Sequence, residues 1–199
     1  MKCPQYVEIE GKRYKINTSF RNAIECNRIA HDETIGDYER ALAVIYTLFG
    51  EEGINHQEHY KELLELGKKY LSCGQEIETN DDDADMDFYE DYDYIVASFQ
   101  SDYGINLDEE DMNWYRFFNL MNGLSNSELG NCCVLNRIRN LRNFDLKDIK
   151  DPKEKERIRK AQKQVALKKN RKPKVEATSE QQENAMKLYE ALGYSIERK

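Results

Sequence analysis

The sequence predicts a mainly α-helical protein: a compact helical domain of about six to eight helices with a small N-terminal β-hairpin. Apolar residues recur at steps of three and four along most of the chain, which is typical of helices with one buried face. Three prolines and ten glycines among 199 residues are few, which disfavours a loop-rich β-sandwich. The apolar share of 39% and the charged share of 34% indicate a modest core, with several segments outside it.

The first part of the chain predicts the hairpin and three helices. "YVEIEGKRYKI" alternates apolar and polar residues around Gly11, as the strands of a hairpin do. Thr18 or Ser19 is a candidate N-cap for the first helix. The second helix, in "TIGDYERALAVIYTLFG", is expected to stop at Gly50. The third, in "NHQEHYKELLELGKKYLSCG", again ends at a glycine.

The middle of the chain predicts four more helices. The second of these four helices is expected to begin at Asp108 as N-cap and to contain Trp114. Ser125, with Glu128 three residues later, fits a capping box for another. Pro152 opens a basic helix whose apolar seam is thin. Before these, "FYEDYDYIVASFQSDYG" carries an apolar stripe at helical spacing: Tyr89, Tyr92, Val96, Phe99 and Tyr103.

These elements predict one helical domain over residues 1–170, with an acidic linker near 76–87. Residues 171–199 are expected to form a linker and a short C-terminal helix. No stretch of 18 apolar residues and no apolar leader occurs, so neither a membrane span nor a signal peptide is expected. Five cysteines without CxxC spacing predict reduced thiols in a cytoplasmic protein.

Charge is distributed unevenly along the chain. The net charge is −8, yet Glu76–Asp111 holds 15 acidic residues and no Lys or Arg. Arg137–Lys174 holds 16 basic residues against five acidic ones. Two opposed blocks in one chain predict self-association, a charged partner or an intramolecular pairing.

The acidic run "NDDDADMDFYEDYDY" is the first candidate for chemistry, as a calcium loop. Such a loop needs a glycine at its sixth position and a glutamate at its twelfth. Frames that start at Asp81 or Asp83 place Met86 or Phe88 at the sixth position and a tyrosine at the twelfth. The acids are therefore interpreted as a solvated linker that leads into a helix, without paired-carboxylate catalysis.

The remaining candidates for chemistry predict no enzyme. His56 and His59 lie three residues apart, a spacing that can chelate a metal on a helix, but the sequence shows no evident third ligand, which favours surface histidines. No Walker loop, GxSxG, GxGxxG or Cys–His pairing occurs, and nothing marks the "NCC" thiols as activated. No catalytic residue, metal site or cofactor is predicted.

Aromatic residues between Tyr89 and Phe118 exceed what one face of each helix can bury. Phe99, Trp114 and Phe118 are expected in the core. Tyr94, Tyr115 and Phe117 lie partly off the apolar stripe and are predicted to contact a partner protein. Four cations of the basic helix are predicted to do the same: Arg157, Arg159, Lys160 and Lys163.

The residues from "SFQSDYGINLDEEDMNWYRFFNLMNGL" through "KEKERIRKAQKQVAL" resemble the bacteriophage "gene product fifteen" family. In that family an F-x-x-x-Y-G segment leads to a D-M-x-W-x-x-F-x-x-L-x-x-G-L helix and then to a basic helix. The resemblance covers about residues 1–170. The matching positions are Phe99, Tyr103, Gly104, Asp111, Met112, Trp114, Phe117, Leu120, Gly123, Leu124, Arg139 and Lys155–Leu167.

The resemblance implies a protein of the tail module of long-tailed phages or prophages, acting in the bacterial host cytoplasm. It further implies a small, helical, self-associating tail-assembly chaperone that binds the tape-measure protein and, as a further partner, the tail-tube protein. Two alternatives remain open, a structural head–tail or tail component of the virion and a nucleic-acid-binding module that uses residues 137–174. Nucleic-acid binding is the less expected, because the basic segment lacks interleaved aromatics and the whole chain is acidic.

Overall fold

A computed structural model of the chain describes residues 2–75, 85–126, 132–147 and 149–168. Within these ranges the protein is mainly α-helical with one two-stranded sheet, as the sequence predicts. The elements, in chain order, are β1 (Tyr6–Ile9), β2 (Lys12–Lys15), α1 (Phe20–Ala30), α2 (Asp37–Ile54), a 3₁₀ turn (Gln57–His59), α3 (Tyr60–Leu71), α4 (Tyr92–Tyr103), α5 (Trp114–Asn122), α6 (Val134–Asn143) and α7 (Pro152–Val165). No helix in the described ranges has both the length and the apolar character needed to cross a bilayer.

The described residues group into two compact units. The first contains residues 2–75 and Met112–Phe118, and the second contains residues 85–111 and 119–168. Helix α5 begins in the first unit and ends in the second. The predicted single domain over 1–170 stays a prediction, and the linker and helix predicted over 171–199 lie outside the described residues.

The first unit opens with the predicted hairpin. β1 and β2 pair antiparallel, with Val7 opposite Tyr14. Glu10 and Gly11 form the turn with φ of 48° and 80°, the left-handed pair that a two-residue hairpin requires. One face of the sheet is buried through Ile9 and Tyr14.

Helices α1 and α2 supply much of the core of this unit. Ser19 caps α1 as predicted, since its side chain accepts a hydrogen bond from the Arg21 N–H. Gly50, the predicted stop of α2, has φ 68° and ψ −160°, so it breaks the helix and the chain then resumes to Ile54. Cys26 of α1 is fully buried, and burial, with a smaller contribution from Glu25, raises the pKa of its thiol to about 12.

The predicted start of α5 is wrong. The helix begins at Trp114, not after Asp108, because the preceding backbone pairs with the start of α1. The Trp114 N–H donates to Thr18 O at 2.8 Å, and Ser19 and Asn113 form a β-bridge. The Asn113 side chain then accepts from the Arg116 N–H, in the position of an N-cap.

Helices α4 and α6 also begin later than the sequence predicts. Tyr89, expected on the apolar stripe, precedes α4 and is 65% exposed. Helix α6 begins at Val134 with Cys133 as N-cap, and the Ser125 carbonyl oxygen accepts a hydrogen bond from the Cys133 N–H. Glu128 of the predicted capping box lies outside the described residues.

Candidate protein-interaction surfaces

Trp114 lies in the core of the first unit, as predicted. Its indole N–H donates to Leu71 O at 2.8 Å, so its polar atom is satisfied while the ring packs against apolar neighbours. The ring centroid lies 5.6 Å from that of Phe117, which in turn stacks on Phe20 at 4.7 Å. Phe118, also expected in the core, is half-buried against Trp114.

The sequence predicts that Tyr115 and Phe117 lie partly off the apolar face of α5. In the structure both side chains are buried. Phe117 has no exposed surface, and Tyr115 is 8% exposed with its ring against Tyr70. Neighbours from distant parts of the chain explain the difference, because Tyr70 of α3 covers Tyr115 and Phe20 of α1 covers Phe117. The candidate interaction surface therefore excludes both side chains.

The motif residues of the second unit form a close contact between the ends of two helices. Tyr103, the last residue of α4, donates its phenol O–H to Leu120 O at 2.8 Å. A Cβ at Gly123 would lie 2.8 Å from that phenol oxygen, so only glycine leaves room for the bond. Phe99 is fully buried with its ring edge-on to Tyr103. Leu124, the residue after Gly123, is buried as well.

One carboxylate of the acidic run is buried, which the sequence analysis did not predict. Asp91 is 1% exposed and accepts a two-pronged ion pair from Arg142 of α6, at 2.6 and 2.7 Å. The hydrogen bonds to Asp91 outweigh burial and hold the pKa of the Arg142 guanidinium above its usual range. Arg142 also donates to the carbonyl oxygens of Asp85 and Val165.

Asp85 and Asp87 of the same run are engaged as well. The Asp85 carboxylate accepts from Arg139 and Asn143, both at 3.1 Å. Asp87 accepts from two backbone N–H groups at the turn before α4. Asp85, Asp87 and Asp91 therefore stabilise the fold of the second unit. Asp81 and Asp83 lie outside the described residues.

Helix α7 forms an exposed basic surface. Asp151 caps it and Pro152 occupies its first turn, as predicted. Its thin apolar side is half-buried, and the Gln162 amide donates to Leu141 O and Phe144 O of the α6 end. None of its residues is fully buried. The four predicted cations, Arg157, Arg159, Lys160 and Lys163, are all exposed, and they define what we call the basic surface.

Exposed aromatic side chains lie in the same unit as the basic surface. Phe144, directly after α6, is 46% exposed, and Tyr89 is 65% exposed. Tyr94, the aromatic predicted to contact a partner, is only half-buried on α4. Sequence reasoning missed Phe144, because an aromatic just beyond a helix end carries no periodic signal.

Two shallow depressions lie on α7. The larger, of about 420 Å³, is open to solvent and lined by Pro152, Lys153, Glu156, Arg157 and Lys160. Three of these lining residues are cations, and none is a nucleophile paired with a base. The five cysteines are free thiols, and burial raises the pKa of Cys73 to about 11, with Cys3 adding to the shift.

A family model described as "Bacteriophage Gp15 protein" matches residues 2–167. The chain belongs to this family. The match spans both units, from the hairpin through α7, and so includes the basic surface of this Gp15 protein. Neither a curated protein nor a solved structure matches the chain.

Proposed function

We propose that this Gp15 protein is a phage or prophage tail-assembly factor that acts by protein–protein contact and not as an enzyme. In its most specific form, it is a tail-assembly chaperone that self-associates and binds the tape-measure protein. The observation that supports the proposal best is the basic surface of α7, which presents four exposed cations within the part of the chain that the family shares.

The charges of the second unit suggest how such contacts form. Six exposed acids, Glu90, Asp93, Asp108, Glu109, Glu110 and Asp111, belong to the same unit as the basic surface. Opposite charges on two partners speed their encounter and select their register, while buried apolar groups supply most of the affinity. Within the second unit, Phe144 and Tyr89 are exposed aromatic side chains that can serve as anchors, and Tyr94 adds a half-buried one.

The test is co-expression with the tape-measure protein encoded in the same gene cluster, followed by pull-down and mass measurement. We expect a complex that contains more than one copy of this chain. The double variant R157E/K160E is expected to lose the complex, because both cations lie on the basic surface. The matched control K15E/R116E makes the same charge change at exposed residues of the first unit and is expected to retain it.

Three results would contradict this function. A monomeric chain that forms no complex at micromolar concentration excludes the chaperone. Abundant copies in purified phage particles would instead identify a structural component of the virion. Tight and strongly salt-dependent binding to DNA or RNA, lost in R157E/K160E, would identify a nucleic-acid-binding module.

A further inference from the structure

Two histidines and a glutamate cluster beside the hairpin of the first unit. His56, Glu58 and His59 each offer one ligand atom, and these atoms lie within 4.8 Å of one another. The sequence shows no evident third ligand for the two histidines, yet Glu58 lies between them, and the 3₁₀ turn Gln57–His59 brings its carboxylate back to His56. The Glu58 Oε1 to His56 Nδ1 distance is 2.8 Å.

His59 is held in an orientation suited to a ligand. It is 8% exposed, and its Nδ1 lies 2.5 Å from the phenol oxygen of the fully buried Tyr14. Metal-binding histidines characteristically have one ring nitrogen held by such a neighbour, which sets the tautomer and leaves the other nitrogen for the ion. The Nε2 atom faces Glu10, whose Oε2 is 3.7 Å away, farther than a hydrogen bond.

Glu10 brings a second carboxylate to the cluster from the hairpin turn. Its φ of 48° is a conformation that favours glycine, asparagine or aspartate. The geometry of the turn therefore does not account for a glutamate at this position. Glu52 lies at the edge of the cluster, with its Oε1 3.7 Å from Lys12 Nζ. Glu58 and Glu10 therefore each face one of the two imidazoles, while Glu52 faces the ammonium group of Lys12.

Lys12 is the cation that the cluster holds in the structure described. Its ammonium group contacts Nε2 of His56, which accepts with its lone pair while Nδ1 faces Glu58. The imidazole is thus already directed at a positive charge. Because Glu58 lies at Nδ1, an ion bound by both Glu58 and His56 takes Nδ1, and the ammonium group of Lys12 at Nε2 disfavours that ion by charge repulsion.

We propose that His56, Glu58 and His59, with Glu10 as the fourth ligand, form a binding site for a Zn²⁺ ion. Two imidazole nitrogens and two carboxylates match the ligands and the coordination number of zinc. Bonds of about 2 Å place tetrahedral ligand atoms roughly 3.3 Å apart, so the most widely separated atoms of the cluster, up to 4.8 Å apart, have to approach by about 1.5 Å. The partly exposed side chains of His56 and Glu58 and the exposed Glu10 can make that movement. The bound ion would join the hairpin turn to the start of α3.

The experiment titrates the full, reduced chain with Zn²⁺ by calorimetry and with Co²⁺ by visible absorption. We expect one ion per chain and a raised melting temperature, because an ion that binds only the folded state stabilises it. His56→Ala and Glu58→Gln are each expected to weaken binding at least tenfold. His31→Ala, at the exposed histidine outside the cluster, is the matched control and is expected to bind like the unmodified chain. Lys12→Met is expected to bind more tightly.

Several results would overturn the site. Absence of saturable binding excludes it, as does equal affinity in His56→Ala. A thiolate-to-cobalt absorption band would assign the ion to cysteines instead. Unchanged or weaker binding by Lys12→Met would contradict the placement of the ion beside His56. Since His56, Glu58 and Lys12 are partly or fully exposed, circular dichroism of each variant is expected to match that of the unmodified chain.

Discussion

At the scale of single residues, the Asp91–Arg142 pair is the contact most sensitive to change in the second unit. Both charges are withdrawn from water, and each is neutralised chiefly by the other. Removing one member leaves an unpaired buried charge, which costs several times more than the pair itself contributes. The acidic run therefore includes a residue that the second unit cannot readily lose.

Arg142→Met is expected to lower the free energy of unfolding by about 3 to 5 kcal/mol. Arg159→Ala is the control, because Arg159 pairs with Glu156 at half-exposed positions. That change is expected to cost less than about 1 kcal/mol. Urea denaturation of each variant measures the difference. Similar losses in the two variants would show that the buried pair has no special weight.

Asp102 gives the second unit a pH dependence. Burial raises the pKa of its carboxyl, but hydrogen bonds from Ser125 and Ser101 outweigh burial and lower the pKa below its ordinary value of 3.8. A lowered folded-state pKa means that the stabilisation is present above the ordinary pKa and is lost as pH falls through the folded-state value.

Asp102→Ala is therefore expected to cost about 1 kcal/mol at neutral pH and progressively less below about pH 4. Unfolding free energies of the two chains, measured from neutral pH down to about pH 3, are expected to converge. A difference that stays constant over this range would assign the loss to packing and not to the charged carboxylate.

At the scale of elements, the junction between the ends of α4 and α5 depends on a missing side chain. Gly123→Ala is expected to displace the Tyr103 phenol from Leu120 O and to cost about 1 kcal/mol for the lost hydrogen bond. In a Tyr103→Phe background the same change is expected to cost clearly less, because no phenol oxygen obstructs the methyl group. A double-mutant cycle by urea denaturation measures this coupling. Additive losses would contradict the contact.

The existence and type of the elements could be predicted because they depend on local patterns. The hairpin turn, the Ser19 cap and the Asp151–Pro152 start of α7 each lie within a few residues of the signal that predicts them. The starts of α5 and α6 could not be predicted in this way. Backbone pairing of Asn113 with Ser19, residues far apart in sequence, decides where α5 begins.

The candidate interaction surface was predictable to a similar extent. The exposed cations of α7 follow from a helix with too few apolar residues to bury itself. The burial of Tyr115 and Phe117 depends on Tyr70 and Phe20, which lie on other helices, and the burial of Asp91 depends on a distant arginine. Both kinds of burial depend on tertiary contacts that leave no local signal in the sequence. Helical spacing therefore placed the two aromatics off the buried face, and the hydrophilicity of the acidic run placed Asp91 in solvent.

At the scale of the whole molecule, the two charge blocks predict how association responds to salt. Added salt is expected to slow formation of the proposed complex with the tape-measure protein and to change its dissociation much less, because screening weakens long-range attraction more than apolar contact. Stopped-flow or biosensor kinetics at low and high ionic strength measure the two rates. An association rate that is independent of salt would show that the blocks do not guide the encounter.

The buried thiol of Cys26 can report local unfolding of the first unit. A thiol with a pKa of about 12 and no solvent contact is almost entirely protonated and inaccessible to alkylating reagents. Its modification therefore waits for α1 to leave the core. The rate of alkylation at Cys26, read by mass spectrometry, is expected to measure how often the first unit opens and to fall when a bound partner or ion stabilises that unit.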